Sequence, residues 1–124
     1  MWTYKQSTGE IAQQDGAILT PLGSGYSGAG ESKNDPQSQV IHNEGPIPQG
    51  LYKINGPVNS EKHGIFALPL TPDPQNLMFG RAGFLIHGDS IEHPGQASEG
   101  CIILARPIRQ QIWDSGDHQL TVIA

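Results

Sequence analysis

Glycine and proline divide this chain into short pieces. Sixteen glycines and ten prolines fall among its 124 residues, so a residue that weakens strands or breaks helices recurs before any long element is complete. Most of what lies between them has β-type pattern, and strands are expected near residues 2–6, 17–22, 50–55, 65–70, 83–87, 101–104 and 119–123. The segment "QQDGAI" carries an Asp-Gly hairpin signal. "GSGYSGAGESKNDPQS" is a loop long enough to suspect of function, its plainer reading being a surface loop. One helix is expected, over "RPIRQQIWDSG". Proline stands early in it, Ile108 and Ile112 lie four apart with Trp113 beside them, and Gly116 stops it. The expected fold class is mainly β with one short helix, in a single domain over residues 1–124.

Composition then removes several functions. A chain of this length buries about two-thirds of its extended surface, so folding needs neither metal nor disulfide. The net charge is −5 with only seven Lys and Arg, which argues against a nucleic-acid partner or an anionic membrane. No apolar run approaches the length of a membrane span, and membrane insertion is not expected. The opening "MWTYKQSTGE" lacks the basic and apolar parts of a signal peptide, so synthesis in the cytoplasm is expected. One cysteine excludes an internal disulfide.

That cysteine ends the most unusual stretch, "FLIHGDSIEHPGQASEGCIIL". Cys101 has three readings here: catalytic nucleophile, metal ligand, or small buried residue. A free thiol is only a few per cent thiolate at neutral pH, so a nucleophile needs an imidazole or a helix terminus close by. His87 and His93 are the candidates. His87 closes the apolar run "GFLIH", which places it at a strand end, and Gly88 permits an abrupt change of direction. Gly100, without a Cβ, lets a substrate carbonyl approach, and the Gly100 and Cys101 amides are candidate oxyanion donors. The metal reading draws on His87, Asp89, His93, Glu99 and Cys101. Their spacing fits no Cys/His zinc pattern, and Pro94 and Gly95 preclude a helix that would align the histidines. No metal or other cofactor is expected. His42, His63 and His118 lie in polar surroundings and read as surface residues, His93 otherwise as a solvated loop residue.

The residues "GFLIHGDS...ASEGCIIL" resemble the active-site signature of the L,D-transpeptidase (YkuD-type) family, an Ile-His-Gly run followed by Ser-His-Gly-Cys and a hydrophobic residue. "GPIPQGLYKI" resembles that family's Thr-Pro-Thr-Gly-X-(Tyr/Phe) strand. The chain is most similar to the branch deployed as type VI secretion effectors, through its "GYSG" loop, "GPIPQGLYKI" and "IHGDS...HPG..SEGCII". The similarity covers roughly residues 2–113. It implies an L,D-transpeptidase-like β-sandwich or barrel with a short helix after the catalytic cysteine. Cys101 falls on the nucleophile, His87 on the base, and Ser98 and Gly100 on the motif serine and glycine.

Two positions depart from the general family. Glu99 replaces its histidine, and Ile103 replaces an arginine expected to hold the donor peptide. Arg109 and Arg106, on the following helix, are the candidate replacements, with Arg109 preferred. Asp89, His93 and Glu99 complete the expected substrate-binding set.

What the resemblance implies is a cysteine L,D-transpeptidase and L,D-carboxypeptidase acting on peptidoglycan stem tetrapeptides, with water or D-amino acids as acceptors. It further implies an antibacterial toxin carried by the type VI secretion machinery to the periplasm of a target bacterium, with a periplasmic immunity protein as partner. The alternative is a catalytically weak module that binds stem peptides, since a carboxylate at Glu99 opposes thiolate formation.

Overall fold

The computed structural model describes residues 1–124. Its strands are β1 (Trp2–Lys5), β2 (Glu10–Asp15), β3 (Ile18–Ser24), β4 (Tyr26–Ser27), β5 (Gly50–Ile54), β6 (Val58–Ser60), β7 (Gly64–Pro72), β8 (Leu85–His87), β9 (Ile102–Ile103) and β10 (Gln119–Ile123). The helix α1 spans Arg106–Asp114, and 3-10 turns cover Gly30–Ser32 and Pro36–Val40. The fold is mainly β with one helix, as expected. No helix is long and apolar enough to cross a membrane.

Three strands escape the sequence reading, each for a physical reason. Only Ile11 and Ala12 of β2 are buried, every residue of β6 is exposed, and β4 is two residues long inside a glycine-serine loop. Without alternation, such segments carry no period-2 signal. The Asp-Gly signal does mark a hairpin: Asp15 pairs with Ile18 across Gly16, whose φ is +61°, and Ala17.

All ten strands belong to one mixed sheet in the order β3-β2-β1-β10-β5-β7-β8-β9-β4, with β6 added to β7. The pairs β1–β10 and β8–β9 are parallel. The two ends of that order, β3 and β4, are separated in the chain by Gly25 alone, so the sheet must curl until its edges meet. At the seam the Gly25 amide donates to Gly9 O at 2.9 Å. A Cβ on Gly25 would stand 1.6 Å from Ile103 O, and one on Gly9 1.9 Å from Gly25 O. Any larger residue would pry the seam open.

Inside the curl, Trp2, Tyr4, Ile11, Tyr52, Ile54, Leu68, Ile86, Ile102 and Leu120 form one continuous core. Strand alternation supplies them, as where Tyr52 and Ile54 of β5 turn inward and Leu51 and Lys53 outward. Helix α1 packs on β7 and β8 through the fully buried Ile112, whose truncation to alanine should cost about 2 to 5 kcal/mol. This is the platform on which β8 and β9 hold the chemistry.

Candidate active site

Parallel pairing of β8 and β9 sets Ile86 opposite Ile102 and His87 opposite Ile103. Ile86 and Ile102 face the core, so the residues that alternate with them, Leu85, His87, Cys101 and Ile103, share the other face. Register therefore puts the thiol and the imidazole on one surface although 14 positions separate them in sequence (101 − 87). The Leu85 amide donates to Cys101 Sγ at 3.3 Å.

Above that surface lies a cleft of about 320 Å³ lined by Lys62, His63, Phe84, His87, Glu99 and Cys101 among others. His63 and Lys62 come from the turn between β6 and β7. Ligand atoms of His63, His87 and Cys101 all lie within 4.8 Å of one another, and the two imidazole centroids are 5.0 Å apart. The surface assignment of His63 is thus corrected: its ring is half-buried in the cleft. His118 is also half-buried, stacked on Trp113 at 4.0 Å, while His42 is exposed and reaches Phe79 O. A larger hollow of about 530 Å³, between Met1, Leu51 and His118, holds neither the thiol nor His87.

His87 is fixed by its own neighbour. Its Nδ1 lies 2.9 Å from Gly88 O, and a carbonyl only accepts, so Nδ1 carries the hydrogen and Nε2 keeps its lone pair. Burial pulls the His87 pKa below the ordinary imidazole value; the Gly88 bond opposes this and His63 and Arg109 add to it. Burial pushes the Cys101 thiol up, partly offset by the Leu85 amide, Lys62 and Arg81, with Glu99 raising it further. Both directions favour a neutral thiol beside a neutral imidazole.

Ser98 is buried and organises the turn before the cysteine. Its Oγ donates to Cys101 O at 2.6 Å and accepts from the amides of Gly28 and Gly100, at 2.9 and 3.1 Å. The Gly100 amide, a candidate oxyanion donor by sequence, is thus hydrogen-bonded to Ser98. What demands glycine there is packing. At φ +140°, a Cβ would stand 2.6 Å from an Arg81 nitrogen and 2.8 Å from the Phe84 ring.

The "GYSG" loop braces the same turn. Ser27 Oγ donates to Gly100 O at 2.8 Å and accepts from the Ile47 amide. Tyr26 Oη donates to Asp89 at 2.6 Å and accepts from the Ala97 amide; burial and Asp89 push its pKa up to about 12. Asp89 also accepts from the Ser90 and Gly95 amides. Its carboxylate closes the loop after His87 and does not line the cleft. His93 is exposed on that loop, outside the cleft; of the expected substrate-binding residues Asp89, His93 and Glu99, only Glu99 lines it.

Arg109 is likewise absent from the cleft wall. It is 5 % exposed, and its guanidinium donates to Leu104 O, Ile65 O and Phe66 O. Those bonds tie α1 to β7, beneath Gly88. Arg106 is exposed and sits over the Phe66 ring at 4.5 Å. Ile103 lies opposite His87 in the register, is 2 % exposed and offers no charge to a ligand. Arg81 was invisible to sequence reasoning. Its buried guanidinium donates to the carbonyls of Gln39, Gly45, Pro46 and Glu99 directly beneath Gly100. Its only local cue is a lone arginine just before the run "GFLIH".

The model of the Tlde1 domain matches residues 23–123. The chain belongs to the Tlde1 family. That family comprises type VI secretion effectors of the L,D-transpeptidase kind, which act on peptidoglycan. Among solved structures, the chain is similar to Bd1075 of Bdellovibrio bacteriovorus, with a TM-score of 0.61 at 12% identity over 99% of this chain and 47% of that one. At that identity the likeness shows a shared fold, and this chain spans about half the length of Bd1075. No characterised protein sequence matches the chain.

Proposed function

We propose that this Tlde1-family protein is a cysteine acyl-transferase acting on peptidoglycan stem tetrapeptides. The observation that carries the reading is the cleft in which Cys101 and a tautomer-fixed His87 lie within reach of each other. As Cys101 Sγ bonds to the carbonyl carbon of the third residue, a diamino acid, His87 Nε2 takes the thiol proton. The tetrahedral adduct collapses by breaking the C–N bond, His87 returns the proton to the departing nitrogen, and D-alanine leaves from a thioester. Water then yields the tripeptide, whereas the amine of a D-amino acid yields the exchanged tetrapeptide; either nucleophile loses its proton to His87 and the thiol is regenerated.

Two neutral partners suit this general-base route better than a resting ion pair. Ser98, Gly100 and Arg81 hold the Ser-Glu-Gly-Cys turn and act through position. The terminal carboxylate of the substrate needs a cation. With Arg81 and Arg109 bound to main-chain carbonyls, Lys62 is the cation on the cleft wall that is free to meet it.

The wall of a competing bacterium is the target in this reading, reached through the type VI machinery, with a periplasmic immunity protein in the producer's kin. A second reading, a stem-peptide binder without turnover, is favoured by the raised Cys101 thiol beside Glu99. Mass analysis of muropeptides after incubation with the protein separates the two. The expected result is loss of tetrapeptide with gain of tripeptide or exchanged tetrapeptide, abolished in Cys101→Ala and in His87→Ala. Activity in Cys101→Ala above about one part in a hundred would rule out the nucleophile; unchanged muropeptides with retained binding would establish the second reading.

A further inference from the structure

The five ligand-type residues of the loop, His87, Asp89, His93, Glu99 and Cys101, do not form one cluster. The fold instead replaces three of them with a histidine from elsewhere. His63, His87 and Cys101 bring two imidazoles and a thiol together from three separate segments, with ligand atoms no more than 4.8 Å apart. We propose that His63, His87 and Cys101 form a binding site for a single zinc ion, which occupies the nucleophile and silences the protein until the ion is withdrawn.

The donor set suits the ion. Zinc takes a thiolate at about 2.3 Å and imidazole nitrogens at about 2.0 to 2.1 Å in tetrahedral geometry, so its ligand atoms stand about 3.3 to 3.7 Å from one another. The cluster must close by roughly an ångström. His63 can make that movement, because it is half-buried on the short turn between β6 and β7.

Metal-bound histidines commonly donate their second nitrogen to an acceptor that holds the ring in place. His87 already does so, with Nδ1 2.9 Å from Gly88 O and Nε2 left for a ligand. His63 has Ser60 Oγ 3.4 Å from Nδ1, and the same hydroxyl accepts the His63 amide at 2.9 Å. Both rings thus have the outer-shell partner of a ligating histidine before any ion arrives.

The charges balance. Binding releases the thiol proton to solvent, leaving one thiolate and two neutral imidazoles around a divalent ion, a net charge of +1. Glu99 on the cleft wall favours that charge, while Lys62 on the same wall and Arg81 below oppose it. Three protein ligands leave the fourth position open to water, as in zinc sites that are not closed by a fourth protein ligand. Softer thiolate and imidazole ligands select zinc over magnesium or calcium.

The test needs no turnover, so its outcome is independent of the acyl-transfer reading. Titration of the metal-free full chain with zinc chloride, followed by calorimetry, should show one ion per chain with micromolar or tighter affinity. Zinc in excess should slow alkylation of Cys101 by iodoacetamide at least about tenfold, with full recovery on adding EDTA. Cobalt(II) in its place should give a sulfur-to-metal charge-transfer band that is absent from Cys101→Ser. His63→Ala, on an exposed turn and with folding checked by circular dichroism, should weaken zinc by more than about tenfold, since losing even an outer-shell partner of a ligand costs about that much. Failure of zinc to protect the thiol, or equal zinc affinity in the wild type and His63→Ala, overturns the site.

Discussion

The imidazole of His63 stands 5.0 Å from that of His87, centroid to centroid, with the Cys101 sulfur beside both. Two rings at that separation cannot both charge without mutual repulsion. The pKa of His63 is lowered by burial and by Lys62, and that of His87 by burial with His63 contributing. A base must be neutral to accept the thiol proton, and His87 is neutral above its own pKa. The acid limb of kcat/KM is therefore expected below the ordinary histidine value of about 6.5. His63→Ala removes both a repelling charge and part of the cover over His87, and each change raises the His87 pKa. The acid limb should move to higher pH in that variant; a limb that stays in place would detach His63 from the titration of the base.

Ser98 makes a sharper structural prediction. Its hydroxyl serves the Cys101 carbonyl and the Gly28 and Gly100 amides at once, in a site that is 2 % exposed. Ser98→Ala strands those groups and should cost about 1 to 3 kcal/mol of stability, read by urea denaturation. Because the turn carrying Cys101 loses its brace, kcat should fall with little change in KM.

Arg109 and Lys62 should separate cleanly in kinetics. Arg109→Ala leaves three main-chain carbonyls without their buried donor, so a stability loss of about 3 kcal/mol or more is expected. Its remaining activity should fall equally on a tetrapeptide and on the C-terminal amide. Lys62→Ala should lower kcat/KM for the free acid by about threefold to tenfold, the smaller figure reflecting solvent screening, and leave the amide unchanged. A selective loss in Arg109→Ala would return the carboxylate to that residue.

Tyr4 presents an uncompensated polar group. It is 0 % exposed, its hydroxyl has no hydrogen-bond partner, and burial raises its pKa well beyond the usual phenol range. Tyr4→Phe removes that hydroxyl and keeps the ring in the core. Stability should rise by about 1 kcal/mol, or roughly 3 to 6 °C in Tm for a domain of this size. An unchanged or lower Tm by calorimetry would mean that the hydroxyl is satisfied in solution.

Sequence alone determined what depends on neighbours along the chain. Glycine and proline spacing with short apolar alternation foretold β1, β3, β5, β7, β8, β9 and β10, and Pro107, Ile108, Ile112 and Gly116 foretold α1. The need of a thiol for a nearby imidazole singled out His87 and Cys101, the missing Cβ singled out Gly100, and the resemblance to the L,D-transpeptidase signature added Ser98. Tertiary structure decided the rest. His63 reads as one polar residue in "SEKHG", and its place over the thiol arises only when β6 and β7 fold across the face that β8 and β9 present. Arg81 carries no motif, and Arg109 reads as the candidate cation for the donor peptide, yet both are buried and bonded to carbonyls from segments 5 to 44 positions away. Distance in space between such residues is set by strand register and by the curl of the whole sheet. No local pattern of side chains encodes either one.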